Sequence, residues 1–138
     1  MILYRNEIAS TFEAVHDTVG EIMDQLKLVD VINKSHLLFR INFMLREVLN
    51  NAVEHGNKFS EEKKISIEVT LLEHILTTRV KDEGEGITLS SSHEHNMDYI
   101  LRERTRGITL VQQYQFQLEA DHTELCVTLD LDSVVEEV

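Results

Sequence analysis

The stretch Glu47-Val48-Leu49-Asn50-Asn51-Ala52-Val53-Glu54-His55-Gly56-Asn57 sets a carboxylate, carboxamides and an imidazole into one otherwise apolar helical segment. At about 100° per residue, a step of four advances by only about 40°, so Glu47, Asn51 and His55 project from one stripe. Ile41, Leu45, Val48 and Ala52 form the neighbouring apolar stripe, with the spacing of a helix laid on a core. A core has no use for the amides and the carboxylate, so the polar stripe is a candidate wall for a polar ligand. The helix is expected from about Lys34 to His55, with Gly56 ending it as a left-handed C′ residue.

The rest of the chain fills in around this helix. With 138 residues and 42% hydrophobic content, one domain over residues 1–138 with a single core is expected. The 25 acidic against 13 basic residues give a net charge of −12, which argues against a nucleic-acid backbone binder but not against a bound nucleotide. That charge fits a protein partner with a basic surface, or simple solubility. Cys126 is the only cysteine, so no internal disulfide can form and a reducing compartment is expected. The N-terminus is charged too early for a signal sequence, and no long apolar run offers a membrane span, so a cytoplasmic protein without membrane contact is expected.

Ile2 to Ile8 reads as a short strand. Ser10-Thr11-Phe12-Glu13 matches a capping box, and Phe12, Val15, Val19, Ile22, Met23 and Leu26 recur at helical steps after it. A break follows between Asp30 and Ser35. Ile65, Ile67, Val69 and Leu71 alternate with polar residues as a half-buried strand, and a turn at Glu73-His74 leads into a second strand, Ile75 to Asp82. A polar stretch from Ser90 to Asn96 precedes a helix between Leu101 and Gln115, and two strands, Phe116–Glu119 and Glu124–Asp130, close the chain. This order predicts an α+β, two-layer α/β sandwich, with helices on one face of a mixed, mostly antiparallel sheet.

Two further clusters carry chemistry. Asp82-Glu83-Gly84-Glu85-Gly86 leaves a strand end with two glycines that let the backbone turn sharply. Asp82 is then either a turn residue or a fixed carboxylate suited to a donor such as the exocyclic amine of a purine. Arg102, Arg104 and Arg106 precede Gly107 at the start of an amphipathic segment, where arginines and free N–H groups attract phosphate unless the charges are merely solvated.

In order and spacing, Glu47 to Asn51 to His55-Gly56, then Asp82-x-Gly-x-Gly, then Arg106-Gly107-x-x-Leu110 resemble the N, G1 and G2 boxes of the gyrase, chaperone, histidine-kinase and mismatch-repair (GHKL) ATPase superfamily. The Asn51-Ala52-x-x-His55-Gly56 run and the short lid, about residues 87–106, resemble the bacterial anti-sigma factor serine/threonine kinases. The resemblance implies a histidine-kinase-like ATPase fold that binds ATP and Mg²⁺. Glu47 is then the catalytic base toward an incoming hydroxyl. Asn51 is the Mg²⁺ ligand, assisted by Asn50, and a neutral amide oxygen suits a hard cation already paired with a triphosphate. His55 is either a phosphate-side ligand or a helix-terminal hydrogen-bonding group. Asp82 would accept the adenine amine, Gly84 and Gly86 would let the base approach, and Thr123 would reach the adenine. Arg104, Arg106 and Gly107 would meet the phosphates. The implied partners are an anti-sigma factor antagonist, as phosphoacceptor, and a sigma factor, with a homodimer as the common assembly. The chain departs from the family's Gly-x-Gly at Thr105-Arg106-Gly107, and threonine tolerates a positive φ poorly.

Overall fold

The computed structural model describes residues 1–84, 114–121 and 123–134. The expected lid, almost all of the helix between Leu101 and Gln115, and Gly86, Arg102, Arg104, Thr105, Arg106 and Gly107 lie outside the described residues.

The described elements run β1 (Ile2–Ala9), α1 (Phe12–Leu26), α2 (Ser35–Asn51), a π-helical turn (Ala52–Gly56), β2 (Lys64–Leu72), β3 (Ile75–Lys81), β4 (Gln117–Asp121) and β5 (Glu124–Asp130). The strands form one sheet in the order β1-β2-β3-β5-β4. Every described pairing is antiparallel, in keeping with the mostly antiparallel sheet expected from the sequence. Two hairpins account for β2–β3 and β4–β5, and the two helices between β1 and β2 bring the chain back antiparallel to where it left.

Period-two alternation decides which face is covered. Ile65, Ile67, Val69, Leu76, Val80, Val127 and Leu129 are buried, while Ser66, Arg79 and Lys81 between them are exposed. The covered face meets Val15, Val19, Ile22 and Leu26 of α1 and Ile41, Leu45, Val48 and Leu49 of α2, in one continuous cluster. Ile32, in the connection between the helices, is fully buried and closes that cluster. On the open face, Arg5 pairs with Glu68 at 3.2 Å and Arg79 with Glu124 at 3.7 Å. Exposed pairs of this kind add little stability. Cys126 sits opposite Arg79 on this face, and partial burial pushes its thiol up from its ordinary range.

Two local expectations are corrected. The N-cap of α1 is Thr11, whose hydroxyl accepts the Ala14 N–H at 3.0 Å, and not Ser10 of the expected capping box. Ser10 is instead buried, because its hydroxyl donates to the Lys63 carbonyl at 2.7 Å. Phe12, the first residue of the apolar repeat, is about half exposed and meets Phe59 edge to face at 5.2 Å, off the main core.

Candidate functional site

The α-helix that carries the polar stripe ends at Asn51, four residues before the sequence suggested. The chain continues through a π-helical turn, Ala52–Gly56, closed by the Asn57 N–H on the Ala52 carbonyl at 2.8 Å. A π turn spreads each rotation over more residues than an α turn, and such turns recur at functional sites. His55 therefore does not continue the α-helical advance that relates Glu47 to Asn51. Glu47, Asn50, Asn51 and His55 are all half-buried, beside the fully buried Val48, Leu49 and Val53. His55 Nε2 lies 3.9 Å from Glu54 Oε1.

Gly56 does not adopt the left-handed conformation expected of it. At this end of the helix the left-handed residues are Lys58 and Phe59, with φ of 51° and 60°. Gly56 is glycine for a different reason: a Cβ there would stand 2.5 Å from Asp82 Cγ and 3.0 Å from Asp82 Cβ. The end of the helix and the end of β3 thus meet with no room for a methyl group. Gly84 completes the interlock, since a Cβ on it would lie 2.8 Å from the Gly56 carbonyl carbon. Its missing side chain serves the packing of the Asp82-Glu83-Gly84 turn onto the helix end.

Asp82 is the one buried carboxylate among the described residues, at 6% exposure. Its Oδ1 accepts the Gly84 N–H at 2.9 Å, and its own N–H donates to the Thr123 carbonyl at 3.1 Å. Asp82 and Thr123, which the family resemblance assigned to the base end of a nucleotide site, are therefore adjacent. Asp82 is fixed by its turn, by β5 and by the close packing of Gly56.

A residue outside the expected set joins these parts. Asn57 is 1% exposed, and its carboxamide is fully engaged. Nδ2 donates to Ser10 Oγ at 2.7 Å and to the Lys64 carbonyl at 3.0 Å, while Oδ1 accepts the Glu83 N–H at 2.8 Å. The Glu83 carboxylate in turn accepts the Lys64 N–H. One amide thereby ties the end of β1, the start of β2 and the turn after β3 to the end of the helix. The sequence signal for this is slight: a lone carboxamide after the glycine, whose partners lie 47 residues before it and 26 after.

Among the described residues, His74, Asp130 and Asp132 form a group of metal-ligating type, with ligand atoms within 4.8 Å of one another. His74 stands at the opposite end of β3 from Asp82. Asp130 faces its Nε2 at 3.6 Å and Asp132 its Nδ1 at 3.8 Å. His74 and Asp132 are exposed and Asp130 partly so, a setting common to acidic surface groups that hold no ion. No helix among the described residues is long and apolar enough to cross a membrane.

Comparison with known proteins gives two curated relatives over a 51-residue segment. The anti-sigma F factor of Bacillus subtilis is 39% identical there, and that of Bacillus velezensis 37%. The segment is 37% of this chain and spans only 35% of the length of each relative. Among solved structures, the histidine kinase domain of the Erythrobacter litoralis EL346 blue-light-activated kinase superposes with a TM-score of 0.47 at 16% identity, over 86% of this chain and 61% of that one. The Acinetobacter baumannii histidine kinase AdeS gives 0.40 at 14% identity, over 93% and 66%. The histidine kinase-like ATPase domain family matches residues 9–131, nearly the whole sequence, and the chain belongs to that family.

Proposed function

We propose that this chain binds ATP with Mg²⁺ and acts as an anti-sigma serine/threonine kinase, phosphorylating an antagonist protein and sequestering a sigma factor. The observation that carries the nucleotide part is the interlock of Gly56, Asp82 and Gly84, which holds a buried carboxylate against the end of the helix bearing Glu47 and Asn51. The donor set fits the ligand. A buried, fixed carboxylate suits the amine of adenine, and half-exposed carboxamides suit a cation paired with phosphates.

Bound Mg²⁺-ATP supplies the phosphoryl group and most of the charge neutralisation. The protein's share is positioning. Asp82, with Thr123 beside it, orients the base. Asn51, assisted by Asn50, would hold the cation, and His55 would serve either the phosphates or the end of its own helix. Glu47 accepts the proton of the incoming serine or threonine hydroxyl. Arg104, Arg106 and Gly107 clamp the phosphate oxygens. The anti-sigma part is supported by the anti-sigma F factors matched over that segment, while the kinase activity and the antagonist follow from the motif resemblance. A homodimer is part of the same proposal.

Thr105, in place of a glycine in the third box, favours a second reading: a non-catalytic binding module that keeps the fold, with weakened or lost ATP turnover, and regulates by contact alone. Calorimetric titration with Mg²⁺-ATP, followed by incubation with labelled ATP and a candidate antagonist, separates the two. A kinase binds ATP, loses binding in Asp82→Asn, and keeps binding but loses transfer in Glu47→Gln. A module binds ATP and labels no partner. Failure to bind either ATP or ADP at any magnesium level would sink the kinase reading.

A further inference from the structure

We infer that Asn57 is a positioning residue for base recognition: its carboxamide sets the Asp82-Glu83-Gly84 turn in the place from which Asp82 can read a purine. This rests on the ATP reading above and assigns a role to a residue that makes no contact of its own with the nucleotide in that reading. Asn57 uses both amide hydrogens and its carbonyl oxygen on three separate parts of the chain, and its burial leaves water no access to replace them. The bond that matters for the base is the one on Oδ1, because the Glu83 N–H that it accepts lies between Asp82 and Gly84. Held there, the turn directs the Gly84 N–H onto Asp82 Oδ1 and keeps Gly84 against the Gly56 carbonyl. The two bonds from Nδ2, to Ser10 and Lys64, anchor the amide to the sheet but do not touch the turn.

The two ends of this amide are separable by mutation. Asn57→Ala removes both. Asn57→Asp keeps an oxygen for the Glu83 N–H and sets a second one against the Lys64 carbonyl. Ser10→Ala removes only the hydroxyl at the anchoring end.

The test is the ratio of ATP to ITP affinity, read by calorimetry on each purified chain with Mg²⁺, together with the urea midpoint. Inosine carries a carbonyl where adenine carries its amine, so it sets an acceptor against the Asp82 carboxylate and keeps only a displaced N1–H donor, and the wild-type chain should prefer ATP by about 10- to 100-fold. Asn57→Ala should bring that preference below about threefold, whereas Ser10→Ala should lower the urea midpoint and keep the preference. Asn57→Asp should also keep it, at reduced stability. If Asn57→Ala does not fold, Asn57→Asp and Ser10→Ala decide the matter, because loss of preference in both would make the amide a general structural support. An Asn57→Ala chain that prefers ATP as strongly as wild type overturns the inference and leaves the ATP reading intact. A wild-type chain that binds neither nucleotide overturns both.

Discussion

Replacing Gly56 by alanine sets two effects of opposite sign against each other. Gly56 lies in a helical turn without a positive φ, so propensity alone would make Gly56→Ala stabilising by about 0.5–1 kcal/mol. The added methyl, however, would sit 2.5 Å from Asp82 Cγ and 3.0 Å from Asp82 Cβ. Asp82 cannot simply swing clear, because its Oδ1 holds the Gly84 N–H and its backbone N–H holds Thr123. Forcing a methyl into a closed contact costs about 1–3 kcal/mol, which outweighs the propensity gain. The net expectation is a loss of up to about 2.5 kcal/mol in a urea titration. On the proposed ATP reading, displacing the Asp82 carboxylate would also forfeit its bond to the base, worth about 1.5–3 kcal/mol, or about 10- to 150-fold in the ATP dissociation constant. Calorimetry on the folded variant measures that second loss directly. A Gly56→Ala chain that is as stable as wild type and binds ATP within about threefold of it would refute the interlock as the basis of the site.

Thr11→Ala should cost about 1 kcal/mol in chemical denaturation through the lost cap of α1, and should leave ATP binding unchanged, since the cap touches neither Asn57 nor Asp82. Tyr4 donates its hydroxyl to Glu21 at 2.6 Å, and burial together with that bond pushes its pKa above the usual 10.0. The folded chain therefore holds this proton more tightly than the unfolded one. The resulting stability is present below about pH 10 and is lost as pH rises through the raised value. Urea midpoints measured between about pH 8 and about pH 11 should fall less steeply for Tyr4→Phe than for wild type, and equal slopes would exclude the linkage.

The fold was legible wherever a period was sustained. Ile65-Ser66-Ile67-Glu68-Val69 names a strand and its buried face at once, and Val15, Val19, Ile22 and Leu26 name the covering face of α1. Helix ends were less legible, because they depend on contacts far away in sequence. Ser10 looks like a better cap than Thr11 from sequence alone, but its hydroxyl is taken by Lys63, 53 residues on. In the same way Gly56 suggested a helix stop by its position, whereas its real constraint is a carboxylate across the interlock. Asp82 and Thr123 could be paired only through the family pattern, since their adjacency is created by β5 lying beside β3.

These misreadings fall at one place, where the helix end, the start of α1 and the end of β3 meet, and this is also where the candidate base site lies. A strand or helix face can be read from its own residues because water and core sort them locally. A site at the junction of three elements is held by groups with no local pattern: a glycine whose neighbour is Asp82, and an asparagine bonded to Ser10, Lys64 and Glu83. The α-helix supplies Glu47 and Asn51 by periodicity, but it must end in a wider turn to bring Gly56 and Asn57 to β3. The polar stripe and Asp82, the proposed base acceptor, are thus set by different rules, and the π turn together with Asn57 joins them. Changes there should alter the distance between the two halves of the site before they alter either half.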